Sequence, residues 1–253
     1  ERPGSVRVRV DGNLRSICTL SAAGYSRLIE EFKAWAGMAE GELWGRGRGT
    51  QHFGEREFSV LIRLAESIRG PALTAHLLDT SQTELPVSAL GMPPEHWQLI
   101  EPLLELERGG LLIFSGLTGS GKTMSLYTSL NLLDPHRRNI VTVEDPVEIT
   151  RPGVTQIEVD SRALNIGDAF SLARNMDPDV LMVGELRPDT VRSVLRSYYD
   201  GCLTLTTAPS RSALATLGYL ESYSQVGIRE LLFPLVIVAQ RLMRALCPEC
   251  SVP

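Results

Sequence analysis

The chain has 253 residues, of which 43% are apolar and 22% charged, so it can bury a sizeable core as one large domain or two small ones. Its formal net charge of −5 gives no global reason to expect a nucleic-acid partner. No apolar run approaches the ~18 residues of a membrane span; residues 231–239 come nearest and are interrupted by Pro234, so direct membrane insertion is not expected. The chain starts at Glu1 without a methionine or signal peptide and reads as an excised fragment. Its four cysteines form no disulfide-like framework, which fits a reducing, cytosolic setting.

Residues 6–10 alternate apolar with charged side chains, the pattern of a half-buried strand, and Asp11-Gly12 predicts a hairpin turn into a second strand over 14–20. A helix is expected over 21–37, capped by Ser21, with Leu28, Ile29, Phe32 and Trp35 on one face. Residues 41–54 are rich in glycine and arginine and read as a turn, a plain hairpin connection. Two further strands fit 57–68 and 72–78 around Arg69-Gly70-Pro71. Residues 81–94 carry three prolines and Gly91, which places a linker at 86–95 between a small α+β domain over 1–85 and a second domain over 96–253.

In the second domain a short helix over 96–106 precedes the apolar strand 111–114. Further strands are expected at 140–143, 180–183 and 202–207, helices at 124–133, 168–176 and 188–199, and a late helix over 230–246 kinked near Pro234. Continuous apolar strands alternating with helices indicate an α/β fold with a mainly parallel sheet buried on both faces. Cys18 and Cys202 stand alone and read as small apolar residues. Cys247 and Cys250 form a C-x-x-C pair, which is half of a four-cysteine zinc site, a redox pair, or neither.

The strand over 111–114 runs into Gly116-Leu117-Thr118-Gly119-Ser120-Gly121-Lys122-Thr123, which fits the phosphate-loop pattern at every fixed position. The glycines let backbone N–H groups turn inward around the α- and β-phosphates, Lys122 reaches the β- and γ-phosphates, and Thr123 offers its hydroxyl to Mg²⁺. The positive N-terminal end of the following helix adds to the anion site. Turnover also needs carboxylates. Glu185 follows the apolar run Leu181-Met182-Val183, and Glu144 follows Ile140-Val141-Thr142-Val143, so both leave the sheet at strand carboxyl ends, where ligands of open α/β sheets sit. Each acid could instead cap the next helix.

Taken together, GLTGSGKT, NIVTVEDPVE (139–148), DPDVLMVGELR (177–187) and AQRLMRALCPEC (239–250) resemble the secretion and pilus ATPases of type II secretion and type IV pilus systems. The resemblance implies a RecA-like nucleotide-binding domain preceded by a smaller PAS-like domain, to which RVRVDG is similar, and a homohexamer that binds ATP and Mg²⁺. It implies that Glu144 is the general base and that Glu185 acts on Mg²⁺ or its water shell. CPEC looks like the first half of the tetracysteine zinc motif of the assembly and secretion branch, so zinc is expected only in a longer parent chain. A cytoplasmic ring held at the inner membrane by a platform protein and a cytoplasmic recruiting protein would complete the machine.

The chain also departs from the family pattern. Cys202 and Pro209 stand where histidines are expected, Arg211 replaces an asparagine, and Asn175 lies where an arginine is usual. In the smaller domain Leu61 and His76 take the places of arginines that reach a neighbour's phosphates, with Arg63 and Arg69 close by. Triphosphate hydrolysis needs cations around the γ-phosphoryl group, so Arg187, Arg192 or Arg211 would have to substitute. The expected function is a hexameric motor ATPase; the alternative is a ring subunit that binds nucleotide with weak or no hydrolysis.

Overall fold

A computed structural model describes residues 4–10, 12–39, 41–79, 85–159, 163–224, 234–243 and 250. The chain divides into two compact units, Glu1–Gln82 and Thr83–Pro253.

In the first unit, β1 (Gly4–Val10) and β2 (Asn13–Leu20) form an antiparallel hairpin, with Gly12 at φ +80° in its turn. Helix α1 (Ala22–Trp35) begins where the Ser21 Oγ accepts the Gly24 N–H at 3.2 Å. An antiparallel sheet comes next, in the order β3 (Gly45–Phe53), β4 (Arg56–Ser67) and β5 (Gly70–Asp79). Ile29, Ala36 and Met38 pack against Val60, Ile62 and Leu64 to form its core.

The expected turn over 41–54 is therefore a strand for most of its length. Its glycines answer to packing. A Cβ on Gly47 would meet the Ala36 carbonyl oxygen at 2.5 Å, and one on Gly49 would meet the Trp35 ring at 2.6 Å. The helix end lies so close to β3 that only glycine fits beneath it. Trp35 is 38% exposed and lies over this glycine strand, whereas Lys33, at 7%, is the buried member of the last turn. The arginines of 41–54 are not in a connection either. In register, Arg46 opposes Arg63, and Arg48 opposes Leu61, which in turn opposes His76. Cross-strand partners share a face, and this face is the one opposite Gly47, Ile62 and Ala75.

The second unit is a three-layer α/β fold. A 3-10 turn (Val87–Leu90) and α2 (Pro94–Leu104) lead into β6 (Leu111–Ser115) and α3 (Lys122–Asn131). Then come β7 (Ile140–Glu144), β8 (Thr155–Glu158), α4 (Ile166–Asn175), β9 (Val180–Val183), α5 (Val191–Tyr199), β10 (Leu203–Ala208), α6 (Ala213–Tyr223) and β11 (Leu235–Ala239). All six strands are parallel, in the order β11-β6-β10-β9-β7-β8. Because strand side chains alternate, Leu112, Phe114, Ile140 and Met182 meet α2 and α3 on one face, while Leu111, Ile113, Val141 and Val183 meet α4, α5 and α6 on the other. That double burial explains the unbroken apolar strands.

Two expectations change here. The segment expected as a late helix holds β11, parallel to β6; Leu235-Val236-Ile237-Val238 is a short β-branched run after Pro234, which suits a strand. The rest of that segment, over 230–233 and 244–246, lies outside the described residues. Cys18 is exposed on the hairpin rather than packed, while Cys202 is buried as expected. Strand β8 and helix α6 carry no pattern that sequence alone makes plain. Among the described residues, no helix is long and apolar enough to cross a membrane.

Candidate nucleotide-binding site

The phosphate loop joins the end of β6 to the start of α3, as its flanking sequence predicts. Gly119 and Gly121 have φ of +77° and +83°, which side chains rarely adopt, so the loop's turn depends on them. Gly116 is needed for room. A Cβ there would run into the Ser120 side chain and lie 2.7 Å from the Gln240 carbonyl oxygen. Thr118 is exposed and Thr123, in the first turn of α3, is half-buried. Lys122, 9% exposed, donates to the carbonyl oxygens of Gly116 at 2.9 Å and Leu117 at 3.3 Å. Its ammonium is thus held over the loop, beside the N-terminal end of α3.

Gln240, just after β11, braces the loop from below. Its backbone N–H donates to the Ser115 carbonyl at 2.8 Å and its side-chain amide donates to the Ser120 carbonyl at 2.9 Å. The Ser115 and Ser120 hydroxyls and the Gln240 side-chain oxygen are buried and have no hydrogen-bond partner among the described residues. Buried polar atoms of this kind are uncommon, and here they cluster under the loop. Positive-φ glycines, an ammonium and a helix N-terminus together fit a triphosphate with its Mg²⁺.

Hydrogen bonds lace the carboxyl ends of the neighbouring strands to this loop. The Gly116 N–H donates to the Ala208 carbonyl at 3.1 Å, which ties the loop to the end of β10, immediately before Pro209. The Leu186 N–H donates to the Thr207 carbonyl at 2.7 Å, and the Thr207 hydroxyl donates to the Gly184 carbonyl at 2.8 Å. The Gly184 N–H donates to the Val143 carbonyl at 3.0 Å. Both candidate carboxylates therefore sit at one edge of the sheet with the loop.

Their surroundings differ. Glu185 is exposed just beyond β9. Glu144 ends β7 at 4% exposure and accepts hydrogen bonds from Thr142 Oγ1 at 2.6 Å, Gln156 Nε2 at 3.1 Å and the Tyr127 hydroxyl. Burial pushes its carboxyl above the usual carboxylate range, against the opposing pull of those three donors. A group raised in the folded state contributes stability below the ordinary carboxylate range, and that contribution drains away as pH rises through the raised value. The ionised form that chemistry would use is therefore the form the fold tolerates less.

Arg187, a candidate replacement cation, donates through both terminal nitrogens to Asp145 at 3.1 Å. Arg192 and Arg211 are exposed. Cys247 lies outside the described residues and Cys250 is exposed. Among the described residues, no group of three or more His, Cys, Asp or Glu side chains is placed to hold a metal ion.

Sequence reasoning missed Thr142, Tyr127, Gln156 and Gln240. Thr142 was recoverable, because a residue two before Glu144 shares its strand face. Gln156 pairs with Thr142 in register and so faces the same way, but β8 had to be known first.

The family model described as type II/IV secretion system protein matches residues 1–252. The chain is 35% identical over 257 residues to a putative type II secretion system protein E of Escherichia coli K12, covering 99% of this chain and 51% of that protein. It is 34% identical over 258 residues to the type IV pilus assembly ATPase PilB of Acinetobacter baylyi, covering 100% of this chain and 44% of that one. It spans about half the length of the curated relatives it matches. Among solved structures, the pilus retraction motor PilT with bound ADP superposes with a TM-score of 0.68 at 23% identity, over 88% of this chain and 66% of that one. The Legionella pneumophila ATPase DotB superposes with a TM-score of 0.62 at 21% identity, over 85% and 62%. With its fold shared by these two and a family model matched along nearly its whole length, the chain belongs to the type II/IV secretion system protein family.

Proposed function

We propose that this chain is the ATP-hydrolysing part of a ring motor that drives type IV pilus assembly or type II protein secretion. The observation that carries the reading is the lacing of the phosphate loop to the strand ends that bear Glu144 and Glu185. Gly116, Thr118, Gly119, Ser120 and Gly121 wrap the phosphates, and Lys122 balances the charge of the β- and γ-groups. Mg²⁺ bound with ATP would offset phosphate charge, and the Thr123 hydroxyl and the Glu185 carboxylate are the groups that fit it, directly or through water.

Glu144 is the general base. It takes a proton from water as the water oxygen bonds to the γ-phosphorus and the bond to the β–γ bridging oxygen breaks, leaving ADP and inorganic phosphate. Burial supports this role, since a base whose carboxyl is raised towards the working pH is stronger than an exposed glutamate. The family supports a homohexamer in the cytoplasm, with a PAS-like smaller domain, recruited to an inner-membrane platform protein. It likewise supports reading Cys247 and Cys250 as half of a zinc site completed only in a longer chain.

Two observations favour slow turnover or the non-catalytic ring. Arg187 is already paired with Asp145, and Pro209 stands at the end of β10 beside Gly116. Phosphate release at saturating Mg-ATP from the assembled chain decides between them. The motor reading expects release that Lys122→Ala and Glu144→Gln abolish, with Glu144→Gln still binding ATP. An assembled ring that binds ATP tightly and releases no phosphate favours the non-catalytic subunit.

A further inference from the structure

Tyr127 lies one and a half turns into α3, the helix that starts at Lys122, and is 1% exposed. Its ring packs in the apolar layer with Leu126, Leu130, Ile140 and Ile149, while its hydroxyl leaves that layer to donate to Glu144 Oε2. The same hydroxyl oxygen accepts the Ile149 N–H at 3.4 Å. The strand that carries Glu144 is not a neighbour of the loop's strand: β10 and β9 lie between β6 and β7. At ~4.8 Å per strand this is a lateral offset of about 14 Å. Helix α3 packs over both β6 and β10, and its Tyr127 side chain reaches on to Glu144 at the end of β7, so one end of this helix holds the phosphate loop and its middle holds the carboxylate.

We propose that Tyr127 is a positioning residue for hydrolysis: its hydroxyl fixes the Glu144 carboxylate to the helix that carries the phosphate loop. The proposal rests on Glu144 being the general base. Thr142 and Gln156 hold the other oxygen, so among the described residues Tyr127 is the donor that restrains Oε2. Without it the carboxyl could rotate about its last bond and lose the orientation the attacking water needs.

The charged groups around this cluster are few. Glu158 on β8 faces Glu144 and opposes its ionisation, and its own carboxylate accepts the Val147 N–H at 2.9 Å. Glu148 lies near the Tyr127 hydroxyl, and the Arg151 guanidinium sits over the Tyr127 ring at 5.6 Å. Asp145 is neutralised by Arg187, and Lys122 is the charged side chain of α3. Helix α4 packs on the opposite face of β7, where it meets Val141 and Val143. The three side chains that hydrogen-bond Glu144 are neutral, so Tyr127→Phe removes a donor to it without changing a formal charge.

The test is the pH profile of kcat and KM for ATP in the assembled chain, with Tyr127→Phe and with 3-fluorotyrosine placed at 127. Glu144 must be ionised to act, so losing a donor to its ionised form moves the acid limb of kcat up. A more acidic phenol donates more strongly and moves it down. Tyr127→Phe is expected to shift the limb by about one pH unit, roughly a tenfold loss of kcat on the limb, with KM changed less than twofold. A packing role would not produce opposite shifts, and the fluorinated side chain keeps the protein folded should phenylalanine not. Limbs that stay in place while Glu144→Gln is inactive overturn the positioning role alone. Full kcat in Glu144→Gln, or no turnover in the assembled wild type, overturns the base assignment and this proposal with it.

Discussion

Residues 45–49 read Gly-Arg-Gly-Arg-Gly and residues 116–121 read Gly-Leu-Thr-Gly-Ser-Gly, yet the first run is a strand and the second a phosphate loop. In β3 the glycines are extended, and a side chain on Gly47 or Gly49 would strike the end of α1. In the loop, Gly119 has open space around it and needs glycine only for its positive φ. One stretch lacks side chains because a helix occupies their place, the other because its backbone must turn its N–H groups towards a ligand. Glycine content alone does not separate these cases. The residues next in the chain separate them: Lys122-Thr123 opens a helix, whereas Thr50 to Phe53 continues a strand.

The largest expected effect lies in the loop. Lys122→Ala should lower phosphate release about 100-fold or more, in keeping with the loss of one charge-stabilising group. The melting temperature of the free protein should hardly change, because among the described residues the ammonium's hydrogen bonds go to two loop carbonyls. A large stability loss with preserved turnover would break the contrast at its functional end.

The converse is expected in β3. Gly47→Val forces a side chain against the Ala36 backbone and should destabilise the first unit by about 1–3 kcal/mol. Thermal or denaturant unfolding measures that loss, and nucleotide affinity should stay within twofold, because every phosphate-loop residue lies in the second unit. Gly119→Ala should do the reverse on a smaller scale. No atom lies within 4 Å of the added methyl, so the cost is backbone strain of about 1–2 kcal/mol, felt as roughly tenfold weaker nucleotide binding. Calorimetric titration with ADP reads it directly, and unchanged affinity would show that the loop does not need that φ.

The same contrast explains how much of the molecule is legible in its sequence. The middle of the sheet is legible because strands such as Leu111-Leu112-Ile113-Phe114 and Val180-Leu181-Met182-Val183 are apolar on both faces and run into a glycine. Strand β8 is not, since Thr155-Gln156-Ile157-Glu158 is a four-residue edge strand with an exposed residue on each face. β11 reads as helix in the sequence because Pro234 and nearby charges suggest a kinked helix, and only its pairing with β6 decides otherwise. Lys122, Thr123, Glu144 and Glu185 come from local patterns. Tyr127, Gln156 and Gln240 come from contacts across the fold, between residues 17, 12 and 120 positions apart in that order, which no local pattern records.

The two units differ in the same way at their cysteines, and chemical reactivity sharpens the point. Cys18 sits on the two-stranded hairpin and is exposed; Cys202, just before β10, is buried. Burial is the largest cause that pushes the Cys202 thiol up to about 12, with the nearby Asp179 and Asp200 carboxylates adding to it. The thiolate is the reactive form, so at pH 8 only about one Cys202 in ten thousand would carry it, even before access is considered. In a chain with Cys247 and Cys250 replaced by serine, a soluble aromatic disulfide should react with one thiol within minutes and with the second at least about 1000-fold more slowly. Denaturant should make the two rates equal, because both thiols then share the same solvent. Equal rates in the folded protein would mean that the start of β10 opens to solvent as readily as the hairpin. The stitching of β10 to the phosphate loop would then be too loose to hold Gly116 in place.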